Sequence, residues 1–195
     1  KSNGTATDLD SLIKLTSVDS VRYFLFRQFP FGEDGEFDES DLVNRHNGEL
    51  ANKLGNLVAR VGGMIEKAGG EVKKVKVDTD LSEKLTLGSI QKSMKELQLD
   101  RALNEIMAFI DSCNEYVQQK QPWKLEGEEK NKVLYSLVDG LRVASILLYP
   151  FIPTSAEKIN EQYGFEKPEL SNCKFGLTGN TKVKKSEILF KRIEE

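Results

Sequence analysis

Apolar residues recur in the segment 38–69 at the spacing of an amphipathic helix. At 100° per residue, one arc of that helix collects six apolar side chains: Leu50, Leu54, Leu57, Val58, Val61 and Ile65. Such an arc is the face that a helix buries against its neighbours. On the opposite side Asn52, Asn56 and Arg60 follow one another at intervals of four residues. The pattern therefore predicts one continuous α-helix with a core face and a row of hydrogen-bonding side chains.

The same period predicts further helices over residues 90–120, 128–149 and 154–163. Pro122 ends the first of them, because the residue before a proline resists the α conformation, and Pro150 ends the second. Two shorter helices are predicted near the start of the chain. Residues that commonly cap helices precede the first three predicted helices: Asp8, Asp19, and Asp38 or Ser40.

These elements predict an all-α fold, an antiparallel helical bundle over residues 38–164. A short mixed connecting segment, residues 1–37, precedes it, and a C-terminal arm, residues 165–195, is expected to lie on another surface. Residues 71–88 are interpreted as a connector. The stretch EVKKVKVD within it alternates like a strand, but we predict an exposed loop because it is short and has no evident partner.

Composition narrows the possible functions. Of the 195 residues 38% are hydrophobic, and no apolar run approaches the ~20 residues that cross a bilayer, so no membrane contact is expected. Cys113 and Cys173 are too few for a disulfide scaffold or a zinc site, which favours a reducing cytoplasm. The net charge of −3 argues against a general polyanion binder. Any contact with nucleic acid must therefore be local.

Few residues offer catalytic chemistry. His46 is the single histidine, and we expect it to be a partly exposed helix residue. Paired catalytic carboxylates, a phosphate-binding glycine loop and a metal cluster are missing from the sequence. The basic run Lys73, Lys74 and Lys76 is either a solvated loop or a phosphate contact.

Trp123 is the only tryptophan, and it follows Pro122 where a predicted helix stops. It either seals the end of the bundle or is a platform on which an unstacked base can lie. Asn56 and Arg60 are suited to base edges, since an amide donates and accepts and a guanidinium presents a fork of donors. Taken by themselves, these two residues are better explained as part of a solvated polar face. The residues alone do not decide between these alternatives.

Three segments resemble the C-terminal part of the methionyl-tRNA synthetases, which are class I aminoacyl-tRNA synthetases. They are VDSVRYFLFRQFPFGEDGEF, LVNRHNGELANKLGNLVARVGGMIEK and CNEYVQQKQPWKL, in that order. The first resembles the segment that joins the catalytic core to the anticodon domain, and the other two resemble the anticodon-binding bundle. The stretches ANKLGNLVAR and QPW favour the methionine enzyme over related ligases that share the bundle.

The resemblance also implies what lies outside this sequence. Lys1 resembles the second lysine of the family's KMSKS signature. The catalytic domain, with its ATP and zinc, would then lie upstream, so we expect a segment that carries no cofactor and is inactive alone in attaching methionine to tRNA.

For the site, the resemblance implies that Asn56, Arg60 and Trp123 read the CAU anticodon of initiator and elongator methionine tRNAs. Asn52 and Lys124 are implied as secondary or phosphate contacts. The upstream catalytic domain would be the other partner. The alternative from a different class is a helical scaffold that binds protein rather than RNA. The negative net charge favours it slightly, and the presence of Asn56, Arg60 and Trp123 disfavours it.

Overall fold

Helices form nearly all the regular structure in residues 8–184 and 188–194, the part of the chain that the computed structural model describes. They are α1 (Leu9–Leu15), α2 (Val18–Gln28), α3 (Glu39–Arg45), α4 (Asn56–Lys67), α5 (Thr79–Ser82), α6 (Leu87–Lys95), α7 (Leu99–Lys120), α8 (Gly127–Leu148) and α9 (Pro153–Tyr163). A π-helix, His46–Gly55, joins α3 to α4, and short 3₁₀ turns lie at Pro122–Lys124 and Leu170–Asn172. Two short strands, β1 (Glu71–Val72) and β2 (Thr181–Lys182), pair antiparallel. The predicted all-α class is confirmed.

The centre of the bundle is α8, in which every residue from Val133 to Leu148 is buried. Helices α4, α7 and α9 pack against it. The burial predicted for the apolar arc of residues 50–65 is confirmed, since all six of its side chains have no exposed surface. A helix covered on all sides is the expected result when apolar residues occupy most of its circumference. The polar residues within this stretch therefore need partners inside the protein.

Asp139 and Arg142 form a buried ion pair within α8, with 2.9 Å between Arg142 Nε and Asp139 Oδ1. Residues of the C-terminal segment complete the pair. The carbonyls of Asn172 and Lys174 accept hydrogen bonds from the guanidinium at 2.8 and 2.5 Å. The backbone N–H of Thr178 donates to Asp139 at 3.2 Å. Because buried charges are costly unless fully paired, this network fixes the segment 172–178 on α8.

The helix predicted over residues 90–120 is wrong, because the structure has two helices with a break at residues 96–98. Leu97 adopts a left-handed conformation, with φ of 57°. The N–H groups of Gln98 and Leu97 donate to the carbonyls of Ser93 and Met94, which is the hydrogen-bond pattern of a Schellman cap. Glycine usually occupies the left-handed position of that cap, so a leucine there gives no sequence signal.

The continuous α-helix predicted over residues 38–69 is also wrong in its middle third, although Asp38 does cap its start. The π-helix interrupts it, and the N–H of Asn56 donates to the carbonyl of Ala51, five residues back. Asn52 lies in this wider helix, so it does not continue the α-helical row. Only Asn56 and Arg60 are one turn apart within the same α-helix.

Asp19, predicted as an N-cap, is instead a buried residue of the first turn of α2. Ser17 caps that helix, and Asp19 accepts a hydrogen bond of 2.6 Å from the N–H of Ser155, at the start of α9. A carboxylate at a helix N-terminus is favoured by the helix dipole. The residue therefore ties α2 to α9.

His46 is buried, with 3% of its surface exposed, which contradicts the expected partly exposed position. Its Nε2 lies 2.8 Å from the carbonyl oxygen of Lys191, and its Nδ1 lies 2.9 Å from the hydroxyl of Ser20. Since a carbonyl only accepts, Nε2 carries a hydrogen and donates to Lys191. The neighbouring Asn47 exchanges two hydrogen bonds with the backbone of Ile193. Residues 188–194 of the arm thus lie against the π-helix.

The loop predicted for EVKKVKVD is wrong for its first two residues, which form β1. Glu71 pairs with Lys182 and Val72 with Thr181. The partner strand lies about 110 residues further along the chain, so the local pattern could not indicate it.

Replacing Asp139 by asparagine is expected to lower the free energy of unfolding by about 3–5 kcal/mol, because Arg142 keeps its charge in the interior without a counter-ion. Urea unfolding followed by circular dichroism measures this change. Asp111→Asn is the matched control, since Asp111 forms a surface ion pair with Lys53 and is 40% exposed. That variant should lose less than about 1 kcal/mol. Equal losses in the two variants would contradict the role given to Asp139.

Candidate nucleic-acid interface

Trp123 sits on a rigid turn between α7 and α8. Gln121 ends α7 in a left-handed conformation, with φ of 45°, and the buried Pro122 starts the 3₁₀ turn. The N–H of Lys124 closes the turn on the carbonyl of Gln121 at 2.8 Å. The indole has 51% of its surface exposed. Because half of the ring meets solvent, Trp123 does not seal the end of the bundle.

Beside the indole lies a cleft of about 410 Å³, which we call the tryptophan cleft. Its lining comprises Trp123 and Pro122 from the turn, Lys130 from α8, and Arg60, Gly63, Met64 and Lys67 from α4. An added Cβ at Gly63 would meet nothing within 4 Å, so the glycine leaves that wall open. The lining contains three cationic side chains and no acidic one. The cleft can therefore take an apolar, planar group beside negative charge.

The structure brings only two of the five sequence-predicted site residues into this cleft, Arg60 and Trp123. Asn56 is exposed at the first position of α4, one turn before Arg60. Asn52 is exposed in the π-helix, and Lys124 is exposed next to Trp123. The five predicted site residues therefore do not line one pocket together.

Met64, Lys67 and Lys130 line the cleft but were not among the predicted site residues. The first two lie four and seven residues after Arg60, so the helical period places them on the same face as Arg60. That signal was present in the sequence. Lys130 belongs to another helix, and only the packing of α4 against α8 brings it to the cleft.

The described residues offer no evident catalytic centre. Burial raises the pKa of the Cys113 thiol, which lies in the core, and burial raises the pKa of Cys173 to about 11. Within residues 8–184 and 188–194, no cluster of three His, Cys, Asp or Glu side chains could hold a metal ion. No helix in the same ranges is long and apolar enough to cross a membrane. Lys1 lies outside the described residues.

Two family models match the chain. The model described as tRNA synthetases class I (M) matches residues 1–62, and the model described as the anticodon-binding domain of tRNA ligase matches residues 84–193. The two matches account for most of the chain and follow one another in the order that the sequence motifs indicated.

Curated relatives match over the whole chain. The methionine–tRNA ligase of Caldanaerobacter subterraneus subsp. tengcongensis is 38% identical over 210 residues, covering 100% of this chain and 33% of the relative. The Bacillus subtilis methionine–tRNA ligase is 36% identical over 212 residues, covering 100% and 32%. The chain thus spans about a third of the length of these curated relatives.

Solved structures give the same result. The free form of Mycobacterium tuberculosis methionyl-tRNA synthetase superposes with a TM-score of 0.87 at 30% identity, covering 97% of this chain and 42% of that one. The same enzyme bound by methionyl-adenylate gives a TM-score of 0.88 at 30% identity, with coverages of 98% and 41%.

Proposed function

The chain belongs to the methionyl-tRNA synthetase family and contains its anticodon-binding domain, and we propose that the tryptophan cleft holds the anticodon of a methionine tRNA. The observation that carries this proposal is the half-exposed indole of Trp123 in the same cationic cleft as Arg60. A base stacked on an exposed aromatic ring contributes about 1–3 kcal/mol. The cleft thus offers a stacking surface together with donors for an anionic strand.

The selectivity for CAU comes from Asn56 and Arg60 in this proposal. Trp123 stacks on a base that is turned out of the anticodon loop. Arg60, in the cleft, donates to an acceptor edge or to a phosphate, and Asn56, one turn earlier, donates to and accepts from a neighbouring base edge. Asn52 and Lys124, which are both exposed, are the secondary or phosphate contacts.

The activity of the whole protein is part of the same proposal. The full-length enzyme attaches methionine to initiator and elongator tRNAs in protein biosynthesis, with ATP and zinc bound in a catalytic domain before the bundle. Residues 1–37 act as the connection, 38–164 as the anticodon-binding bundle and 165–195 as the arm. The two buried free thiols are consistent with a reducing cytoplasm as the site of action.

A titration with anticodon stem-loop RNAs tests the proposal. We expect the chain to bind a stem-loop carrying CAU more tightly than one that differs only in the anticodon, with binding followed by Trp123 fluorescence. Equal affinity for the two RNAs would contradict anticodon recognition and favour the scaffold alternative.

Replacing Trp123 by alanine should weaken binding of the CAU stem-loop by about 1–3 kcal/mol, because the stacking surface is lost. The melting temperature should change little, since the exposed ring contributes little packing. Fluorescence anisotropy of a labelled RNA measures the affinity, and Phe31→Ala is the matched control because Phe31 is an aromatic residue 65% exposed outside the cleft. If both variants bind like the wild type, Trp123 is not the platform.

Replacing Arg60 by alanine should reduce both the affinity for the stem-loop and its dependence on salt. Removing one phosphate contact lowers the slope of log K against log salt by about 0.7 for a single strand. Titrations between low and moderate salt give this slope. Arg101→Ala is the control of equal charge, since Arg101 is exposed on α7, donates a hydrogen bond to Gln98 and lies outside the tryptophan cleft. An unchanged slope in Arg60→Ala would place the guanidinium away from phosphate.

A further inference from the structure

A second and larger cleft, of about 1000 Å³, continues from the tryptophan cleft. Its walls are the segment after β1, residues 73–76, and the first turns of α8, residues 126–134. Lys130 lines both clefts, and Lys67 of the first is next in sequence to Ala68 of the second. The two clefts therefore form one continuous surface, which we call the lysine groove where it lies beyond Lys130.

The lysine groove has an excess of positive charge although the whole chain has a net charge of −3. Five lysines and three glutamates line it: Lys73, Lys74, Lys76, Lys130 and Lys132, with Glu71, Glu126 and Glu128. The tryptophan cleft adds Arg60 and Lys67 without any acidic residue. The positive charge of this surface is thus local, which is the arrangement that an overall acidic RNA-binding protein needs.

The lysines of the segment 73–76 are exposed and are not engaged by carboxylates in the described part of the chain. Lys120, by contrast, pairs with Asp80 at 2.6 Å and with Asp78 at 3.1 Å. On the α8 wall, Lys132 Nζ lies 3.9 Å from Asp78 Oδ1. Most of the groove's ammonium groups are therefore available to an external anion.

The backbone of the basic segment is held in place before any ligand binds. Asn131 on α8 accepts a hydrogen bond from the N–H of Lys73 and donates one to its carbonyl, both at 2.9 Å. The N–H of Lys74 donates to Asn180 at 2.8 Å. Pairing of Val72 with Thr181 extends this support. Binding therefore requires little ordering of the main chain.

We propose that the lysine groove binds the sugar–phosphate backbone of the RNA strand that continues from the base held beside Trp123. This inference rests on the proposed function and extends it from the anticodon to the adjoining nucleotides. Lysine ammonium groups bind phosphates as mobile point charges and carry no information about base identity. Glu71, Glu126 and Glu128 repel phosphates, so we expect the backbone to lie closer to the lysines than to these three carboxylates.

The first test compares two triple variants of the whole chain that change the net charge equally. Lys73→Ala, Lys74→Ala and Lys76→Ala together should weaken binding of the CAU stem-loop by about 10- to 100-fold at low salt. They should also lower the salt slope by about 2, at about 0.7 for each phosphate contact. In the control, Lys84, Lys92 and Lys95, which line neither cleft and are exposed, are replaced by alanine. The control should bind within about twofold of the wild type.

A third variant separates charge from folding. Replacing Lys73, Lys74 and Lys76 by arginine keeps the three charges, and it should restore the affinity lost in the alanine variant. Equal weakening in the alanine variant and in its distant control would mean that only net charge matters, which would overturn the inference. Failure of the arginine variant to restore binding would do the same.

RNAs that carry one uncharged linkage can show which phosphates contact the lysine groove. Stem-loops with a single methylphosphonate at each linkage flanking the anticodon should bind the wild type more weakly at two or three adjacent linkages. The same substitutions should have little effect on the triple alanine variant, because the partner charges are already absent. Equal effects on both proteins at every linkage would overturn the inference.

Failure of this inference can be distinguished from failure of the proposed function. If Trp123→Ala and the anticodon sequence change the affinity while the lysine variants match their control, the groove is not used and anticodon binding stands. If neither the anticodon nor Trp123→Ala matters, the proposed function fails, and the methylphosphonate pattern alone then decides whether the groove binds RNA backbone.

Discussion

The buried ion pair of Asp139 and Arg142 is the constraint on which the arrangement of this chain depends. Both groups lie in the middle of a helix whose residues 133–148 are all buried, and Asp139 has no exposed surface while Arg142 has only 8%. Their remaining hydrogen-bonding capacity is met by the backbone of residues 172–178. The chain must therefore return to α8 after the bundle is complete, and this return brings β2 next to β1. The lysine groove owes its fixed wall to that pairing.

Much of the fold follows from periodicity, and each exception has a physical cause, either local or distant in sequence. The core stripe of α4 and the buried face of α7 lie where 3.6-residue spacing places them. The break between α6 and α7 was not predicted, because Leu97 occupies a left-handed position that is usually glycine. The π-helix was not predicted, because placing side chains at 100° per residue presupposes a regular α-helix. Burial of His46 depends on Ser20 and Lys191, which are distant in sequence.

The residues of the candidate site also divide into those that the sequence could indicate and those that it could not. From the residues alone, Trp123 could either seal the end of the bundle or be a platform for a base, and its 51% exposure removes the first alternative. Asn56, Arg60 and Trp123 were chosen as a set through resemblance to a family, and their role in binding RNA stays a prediction. Met64 and Lys67 follow from the helical period of α4. Lys130 could not have been inferred, because its position depends on how α8 crosses α4.

Gly55, the last residue of the π-helix, links the arm to the helix that carries Asn56 and Arg60. A Cβ at this position would lie 3.2 Å from the carbonyl oxygen of Leu50 and 3.7 Å from the ring of Phe190. A side chain longer than a methyl group would have to share the space of that ring. The tighter of these contacts is with main chain, so a smaller residue at position 190 cannot relieve it, and position 55 should remain glycine among homologous sequences whatever residue occupies position 190.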